Sequence, residues 1–73
     1  MVRWTFVQTH TATTVYGEGS CISTDTMPEQ IDGKDIITGA KLLAVDTGDV
    51  YAYNEEAASG SRWGVIASLG GGS

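Results

Sequence analysis

The sequence of 73 residues has few of the groups that stabilise very small domains. It contains one cysteine, Cys21, and one histidine, His10, so an intrachain disulfide and a Cys/His zinc site are both excluded. Small domains without these features commonly gain stability from partner subunits. Apolar runs extend over only a few residues, whereas a membrane-spanning helix needs about 20. The absences therefore predict a single small domain that associates with other protein chains and has no membrane partner.

Basic residues are also scarce. Four Lys and Arg stand against nine Asp and Glu, which gives a formal net charge of −5. A chain this acidic repels phosphate backbones, so we expect no nucleic-acid partner. Cys21 has no basic neighbour in sequence to activate it and is expected to be a small buried apolar residue. No residue pattern indicates a cofactor.

Short alternating segments separated by turn residues dominate the chain. Val2, Trp4 and Phe6 alternate with polar residues and predict a first strand. Gly17 and Gly19 predict a turn, residues 25–34 predict a surface loop, and residues 62–66 predict the third strand of a meander.

No segment has helical periodicity over ten or more residues. The predicted fold is therefore all-β, a small antiparallel meander or partly open barrel of four to five short strands with no substantial helix. Residues 1–69 are expected to form one domain, and residues 70–73 a flexible Gly/Ser tail.

The strongest local signal is a hairpin between residues 41 and 54. Two β-prone runs flank a turn in which Gly48 is expected to take a positive φ. The predicted turn residues are Asp46, Thr47, Gly48 and Asp49. Alternation predicts that Tyr51 and Tyr53 share one face with Leu43 and Val45, while Val50 and Ala52 share the other face with Leu42 and Ala44. Both faces are partly apolar, which favours a core on one side and a partner on the other.

Aromatic side chains are the candidate contact residues. Aromatic residues in a small sheet usually form its core, but Trp and Tyr are also enriched at subunit contacts. Both roles stay open at this point. The candidate interface residues are Trp4, Tyr51, Tyr53 and Trp63.

The sequence offers no convincing catalytic or metal-binding set. Asp46-Thr47-Gly48 after an apolar run matches the short signature of aspartic peptidases, in which two carboxylates share one proton. However, Asp49 adds a second charge, the chain is short for such a half-enzyme, and a hairpin turn explains the same residues. The acidic residues between 25 and 35 include Lys34, which opposes a calcium site. We therefore expect no enzyme activity and no metal, with Asp46 as the residue that a remote peptidase alternative would use.

The segment 39–53, followed by Trp63, resembles a module of small virion proteins of tailed bacteriophages. That module has a Gly, an apolar strand, an Asp-Thr-Gly-x-Val-Tyr-x-Tyr hairpin, a polar loop and a Trp on the next strand. The strand at residues 4–9 is also similar to the start of such chains. The loop 25–35 departs from the family pattern.

This resemblance implies a non-enzymatic structural protein, most simply a decoration-type or minor head subunit that binds the capsid and stabilises it. The implied partners are other copies of the chain, for which a trimer would suit three-fold capsid positions, and the major capsid or other virion proteins. The implied location is the virion, assembled in the cytoplasm of the bacterial host. A tail or fibre subunit and a small acidic protein-binding module are the alternatives.

Overall fold

The computed structural model describes residues 2–68, and these residues form one curled sheet, an open half-barrel with no helix. The prediction of a small all-β fold is confirmed, with seven strands rather than four or five. Leu69 and the predicted tail at 70–73 lie outside the described residues. The strands are β1 (Arg3–Thr9), β2 (Thr14–Cys21), β3 (Gln30–Ile31), β4 (Lys34–Ile36), β5 (Lys41–Ala44), β6 (Asp49–Tyr53) and β7 (Trp63–Ser68).

Strand β2 is the centre of the sheet. β1 pairs with it antiparallel along one edge, while β4 and β5 pair with it parallel. Because β1 occupies one edge, β4 and β5 share the opposite edge at its two ends. β5, β6 and β7 then form the predicted antiparallel meander. The sheet as a whole is mixed rather than antiparallel, because the long connection of residues 22–40 returns the chain alongside β2 in the same direction.

Gly17 and Gly19 lie inside β2 and make no turn, which corrects the prediction. Their role is close packing. A Cβ atom on Gly19 would stand 2.1 Å from the backbone oxygen of Arg3, and one on Gly17 would meet the ring of Trp4 at 3.0 Å. The two glycines therefore let β1 and the Trp4 ring lie directly on the central strand.

The loop predicted for residues 25–34 contains a small hairpin. Ile31 pairs with Lys34, and the two residues between them, Asp32 and Gly33, both have positive φ, at 53° and 78°. This is the geometry of a type I′ turn, for which Asp-Gly is a favoured sequence. The hairpin joins β3 to β4.

The β5–β6 hairpin forms with a different turn and register from those expected. Its loop is residues 45–48, and Asp49 is already the first residue of β6. Gly48 has φ 80° and donates its N–H to the Ala44 carbonyl at 2.7 Å. Leu42 pairs with Tyr51 and Leu43 with Val50, so the predicted facial grouping is wrong. A one-residue error in register exchanges the two faces of a strand pair.

A bulge at Thr5 divides the apolar face predicted for the first strand. Trp4 pairs with Gly19, and Phe6 pairs with Glu18, leaving Thr5 without a register partner. Trp4 therefore lies on the inner, concave face with the glycines, while Phe6 lies on the outer, convex face. Phe6 packs edge-to-face against Tyr16 there, with ring centroids 6.1 Å apart.

The hydrophobic core lies on the concave face. Half-buried Trp4 and Trp63 pack against both halves of this core, and Ile31 and Met27 close it from the connection 22–40. Nothing buried in it is charged. The buried apolar residues are Val15, Cys21, Ile36, Ala40, Leu42, Ala44 and Tyr53.

Candidate functional site

The four aromatic candidate residues all lie on or around the concave face. Tyr53 is buried and packs edge-to-face against Trp63, with ring centroids 5.0 Å apart. It therefore belongs to the core of the single chain and offers almost no surface to a partner. Trp4, Tyr51 and Trp63 are half-buried around the same core. A contact role for these three stays a prediction.

Glu29 ties the connection 22–40 to the loop before β7. Its carboxylate accepts the backbone N–H of Gly60 at 2.7 Å and the hydroxyl of Ser59 at 2.9 Å. Arg62 Nη1 lies 3.5 Å from the same carboxylate. These hydrogen bonds, first from Gly60 and then from Ser59, lower the pKa of Glu29.

Trp63 also holds the connection 22–40 in place, from the concave face of the sheet. Its indole Nε1–H donates to the Pro28 carbonyl at 2.8 Å, which satisfies the polar atom of a half-buried ring. Residues 28–29 are thus held by contacts with Ser59, Gly60, Arg62 and Trp63. The hollow beside them, of about 300 Å³, is lined in part by Tyr51, Met27 and Trp63. Its described lining contains no arranged catalytic set.

Asp46, the residue of the peptidase-like signature, is an anchor between two strand ends. Its carboxylate accepts the Ser23 hydroxyl at 2.6 Å and the Ser23 backbone N–H at 2.9 Å. These bonds, the hydroxyl first, lower the pKa of Asp46 and favour its ionised form. The geometry gives Asp46 a structural use at the β5–β6 turn.

Nucleophilic and metal-binding chemistry has little support in the part of the chain that the structure describes. Cys21 is buried, and burial raises the pKa of its thiol, which opposes thiolate formation. His10 Nδ1 lies 3.0 Å from the hydroxyl of Thr14, beside an open hollow of about 450 Å³ near Tyr16. Across residues 2–68, no three His, Cys, Asp or Glu side chains are grouped to hold a metal ion. The described residues also include no helix long and apolar enough to cross a membrane.

The distinctive surface feature is a set of exposed large apolar side chains. Six of them are between 42% and 61% exposed, in a chain whose described core contains only seven buried apolar side chains. They fall in three places: on β1, on β7, and at the end of the sheet where β2 and β5 finish. The six are Phe6, Val7, Ile22, Val45, Val65 and Ile66.

A row of smaller apolar groups lies on the convex face of β5, β6 and β7. Leu43, Val50 and Ala67 are register neighbours on β5, β6 and β7 and point outward together. At the sheet end, Val45 donates its N–H to the Cys21 carbonyl at 2.9 Å, which places it alongside Ile22. We call Ile22 and Val45 the end patch.

Sequence reasoning identified the aromatic residues and missed these aliphatic ones. The strands that contain Val7, Val65 and Ile66 have the same kind of sequence pattern as strands whose side chains are buried. What exposes them is the position of β1 and β7 at the sheet edges, which depends on pairing between distant segments. The only sequence feature that indicated exposed apolar surface was the pair of apolar faces predicted for the hairpin.

Comparison with known proteins adds no relative. No family model, no curated protein and no solved structure matches the chain. Function is therefore inferred from the residues and geometry above.

Proposed function

We propose that the protein is a non-enzymatic structural subunit of a bacteriophage virion, associated with the capsid as a decoration-type or minor head protein. The resemblance of residues 39–63 to the phage hairpin module supports this assignment. The local chemistry agrees with it, because Asp46 and Glu29 both serve as structural anchors within the chain.

The observation that carries the proposal is the distribution of apolar side chains. Monomeric proteins rarely leave this much large apolar surface uncovered on so small a fold. Burial of such side chains contributes about 1.5–3 kcal/mol each when it is complete. A subunit that works while bound to neighbours would have this surface covered in its functional state.

The end patch is the part of this surface that we assign to the virion. Ile22 and Val45 lie side by side at one end of the sheet, on neither edge strand, and both are exposed. A rigid site at the end of paired strands can seat against a flat capsid surface without rearrangement. The partner there is the major capsid protein or another virion protein.

Mass spectrometry of purified particles tests the proposal. The phage or prophage encoding the chain is grown, and its virions are purified through a density gradient. The protein is expected in them at many copies per particle, and heads and tails separated before digestion place it on one or the other. Its absence from washed virions, at normal levels in the infected cell, would overturn the proposal.

A matched pair of variants tests the end patch. Val45→Lys puts a charge on the patch and should reduce incorporation at least tenfold. Ala58→Lys adds the same charge to the exposed 54–62 loop and should leave incorporation unchanged. Equal incorporation of both variants would contradict the role of the end patch.

A further inference from the structure

The two outermost long strands are open and apolar. Over residues 2–68, β1 pairs only with β2 and β7 only with β6, so each leaves one row of backbone N–H and C=O groups facing outward. Four of the six exposed large apolar side chains lie on these two strands: Phe6, Val7, Val65 and Ile66. Exposed apolar edges are rare in monomeric sheets because they pair readily with other strands.

The two edges carry little of the protection usual in monomers. β7 contains no charged residue and no Pro, and Arg3 is the only charged residue of β1. Each strand has a single bulge, at Thr5 and at Ile66. All nine acidic residues lie elsewhere, so two copies can meet along these strands without placing carboxylates opposite one another, despite the net charge of −5.

The strand directions make the two edges complementary. β1 is antiparallel to β2, β2 is parallel to β5, and β6 reverses the direction of β5 before β7 reverses it again. β1 and β7 therefore run in opposite directions. Copies related by rotation about an axis along the strands keep these directions, so β7 of one copy meets β1 of the next in an antiparallel pair.

The faces of the two strands also match. Val7 pairs with Gly17 and Val65 with Tyr51, so both valines lie on the concave face. Phe6 and Ala67 lie on the convex face by the same alternation. An antiparallel junction between β7 and β1 would bring apolar residues together on both faces, as cross-strand pairs within a sheet do.

We propose that copies of this chain join head to tail, with β7 of one copy pairing antiparallel with β1 of the next, so that the sheet continues into a closed ring. A second copy is the occupant because the complementary edge for each strand is the other edge of the same chain. A two-fold β7–β7 contact would leave Phe6 and Val7 uncovered. The ring describes how copies of the chain associate with one another, and in this it rests on the proposed virion role. It is tested with purified protein alone.

Two single-edge variants and their mixture distinguish this arrangement from the alternatives. Val7→Lys blocks β1, Ile66→Lys blocks β7, and both positions are exposed in the single chain. Ala58→Lys is the matched control, since it adds the same charge at an exposed position of the 54–62 loop and lies on neither edge. Circular dichroism and a thermal melt establish that each variant folds, and Phe6→Lys and Val65→Lys replace any that does not. Native mass spectrometry and light scattering then give the masses.

Head-to-tail pairing predicts a specific pattern. The original chain and the control form one ring, a multiple of the 7.7 kDa chain mass. Each edge variant alone is a monomer, and an equimolar mixture of the two forms a heterodimer, because one intact β7 meets one intact β1.

Three results would overturn it: a monomeric original chain, a Val7→Lys variant that still dimerises with itself, or a mixture that stays monomeric. A monomeric original chain that is nevertheless present in virions would refute the ring and leave the virion role standing.

Discussion

Strands β2 and β7 have similar lengths and opposite environments. β2 has neighbours on both edges, and Val15 and Cys21 on it are buried. β7 has one neighbour, and Val65 and Ile66 on it are more than half exposed. The single chain thus completes its own core around β2 and leaves large apolar side chains of β7 exposed, where we propose that a second copy binds. Stability should depend on the first region and association on the second.

Truncation of a core side chain should give the largest loss of stability. Leu42 is fully buried at the centre of the concave face. Leu42→Ala should lower the free energy of unfolding by about 3–4 kcal/mol, because it removes apolar contacts and leaves a cavity. Val65→Ala on β7 should cost less than about 1 kcal/mol under conditions where the chain is monomeric. Urea unfolding measures both, and similar losses would contradict the division.

The glycines offer a second paired comparison. Gly19→Ala on β2 would force a methyl group against the Arg3 backbone and should cost about 2–3 kcal/mol. Gly64→Ala on β7 meets no atom within 4 Å and should be neutral or slightly stabilising. Thermal melts of the two variants test this. A tolerated Gly19→Ala would mean that β1 does not lie against the central strand as described.

Loss of the Glu29 contacts should have a smaller effect that depends on pH. The hydrogen bonds from Gly60 and Ser59 lower the pKa of Glu29 in the folded chain. Its contribution to stability is therefore full above the unfolded-state pKa, about 4.3, and is lost as the pH falls through the lower folded-state value. Glu29→Gln should lower the melting temperature at pH 7 by a few degrees.

The pH dependence of the melting temperature shows whether the stabilisation comes from the charge of Glu29. The difference between the original chain and Glu29→Gln should shrink between about pH 5 and pH 3. Glu55→Gln, on the exposed loop, is the control and should melt like the original chain at all these pH values. A difference that stays constant with pH would show that the Glu29 charge is unimportant.

The smallest effect is expected at Asp46. Asp46→Asn retains the shape of the side chain but weakens its bonds to Ser23, and because the site is exposed the melting temperature should fall by only about 1–2 degrees. Ser23→Ala should produce a similar fall, and the double variant should add little beyond either change. A fully additive double variant would contradict the direct contact between the two residues.

The fold class and the main hairpin could be predicted from local sequence. Alternation and turn chemistry are properties of neighbouring residues, so β5, β6 and β7 were found, and Gly48 has the expected positive φ. The role of Gly17 and Gly19 could not be predicted, because these glycines make room for β1 and the Trp4 ring, which come from elsewhere in the chain. The Asp32-Gly33 turn carried a usable signal, but its two short strands are too brief to show alternation.

The candidate surface was the less predictable part. The same alternating pattern describes Val15, which is buried, and Val65, which is exposed, since only the strand order of the folded sheet separates them. The pairing register of β5 with β6 could not be predicted for the same reason. The observed pairing of β5 with β6 places Tyr51 on the face of Leu42 rather than on that of Leu43.

Hydrogen exchange at two protein concentrations tests the central claim most directly. The claim is that the edges of β1 and β7 are open in the single chain and paired in the assembly. The outward-facing amides in residues 3–9 and 63–68, which β2 and β6 do not bond, should exchange quickly in dilute solution and at least tenfold more slowly once the chain assembles. Amides of β2 should be protected at both concentrations. Exchange in the two edge strands that does not change with concentration, while β2 stays protected, would contradict the account.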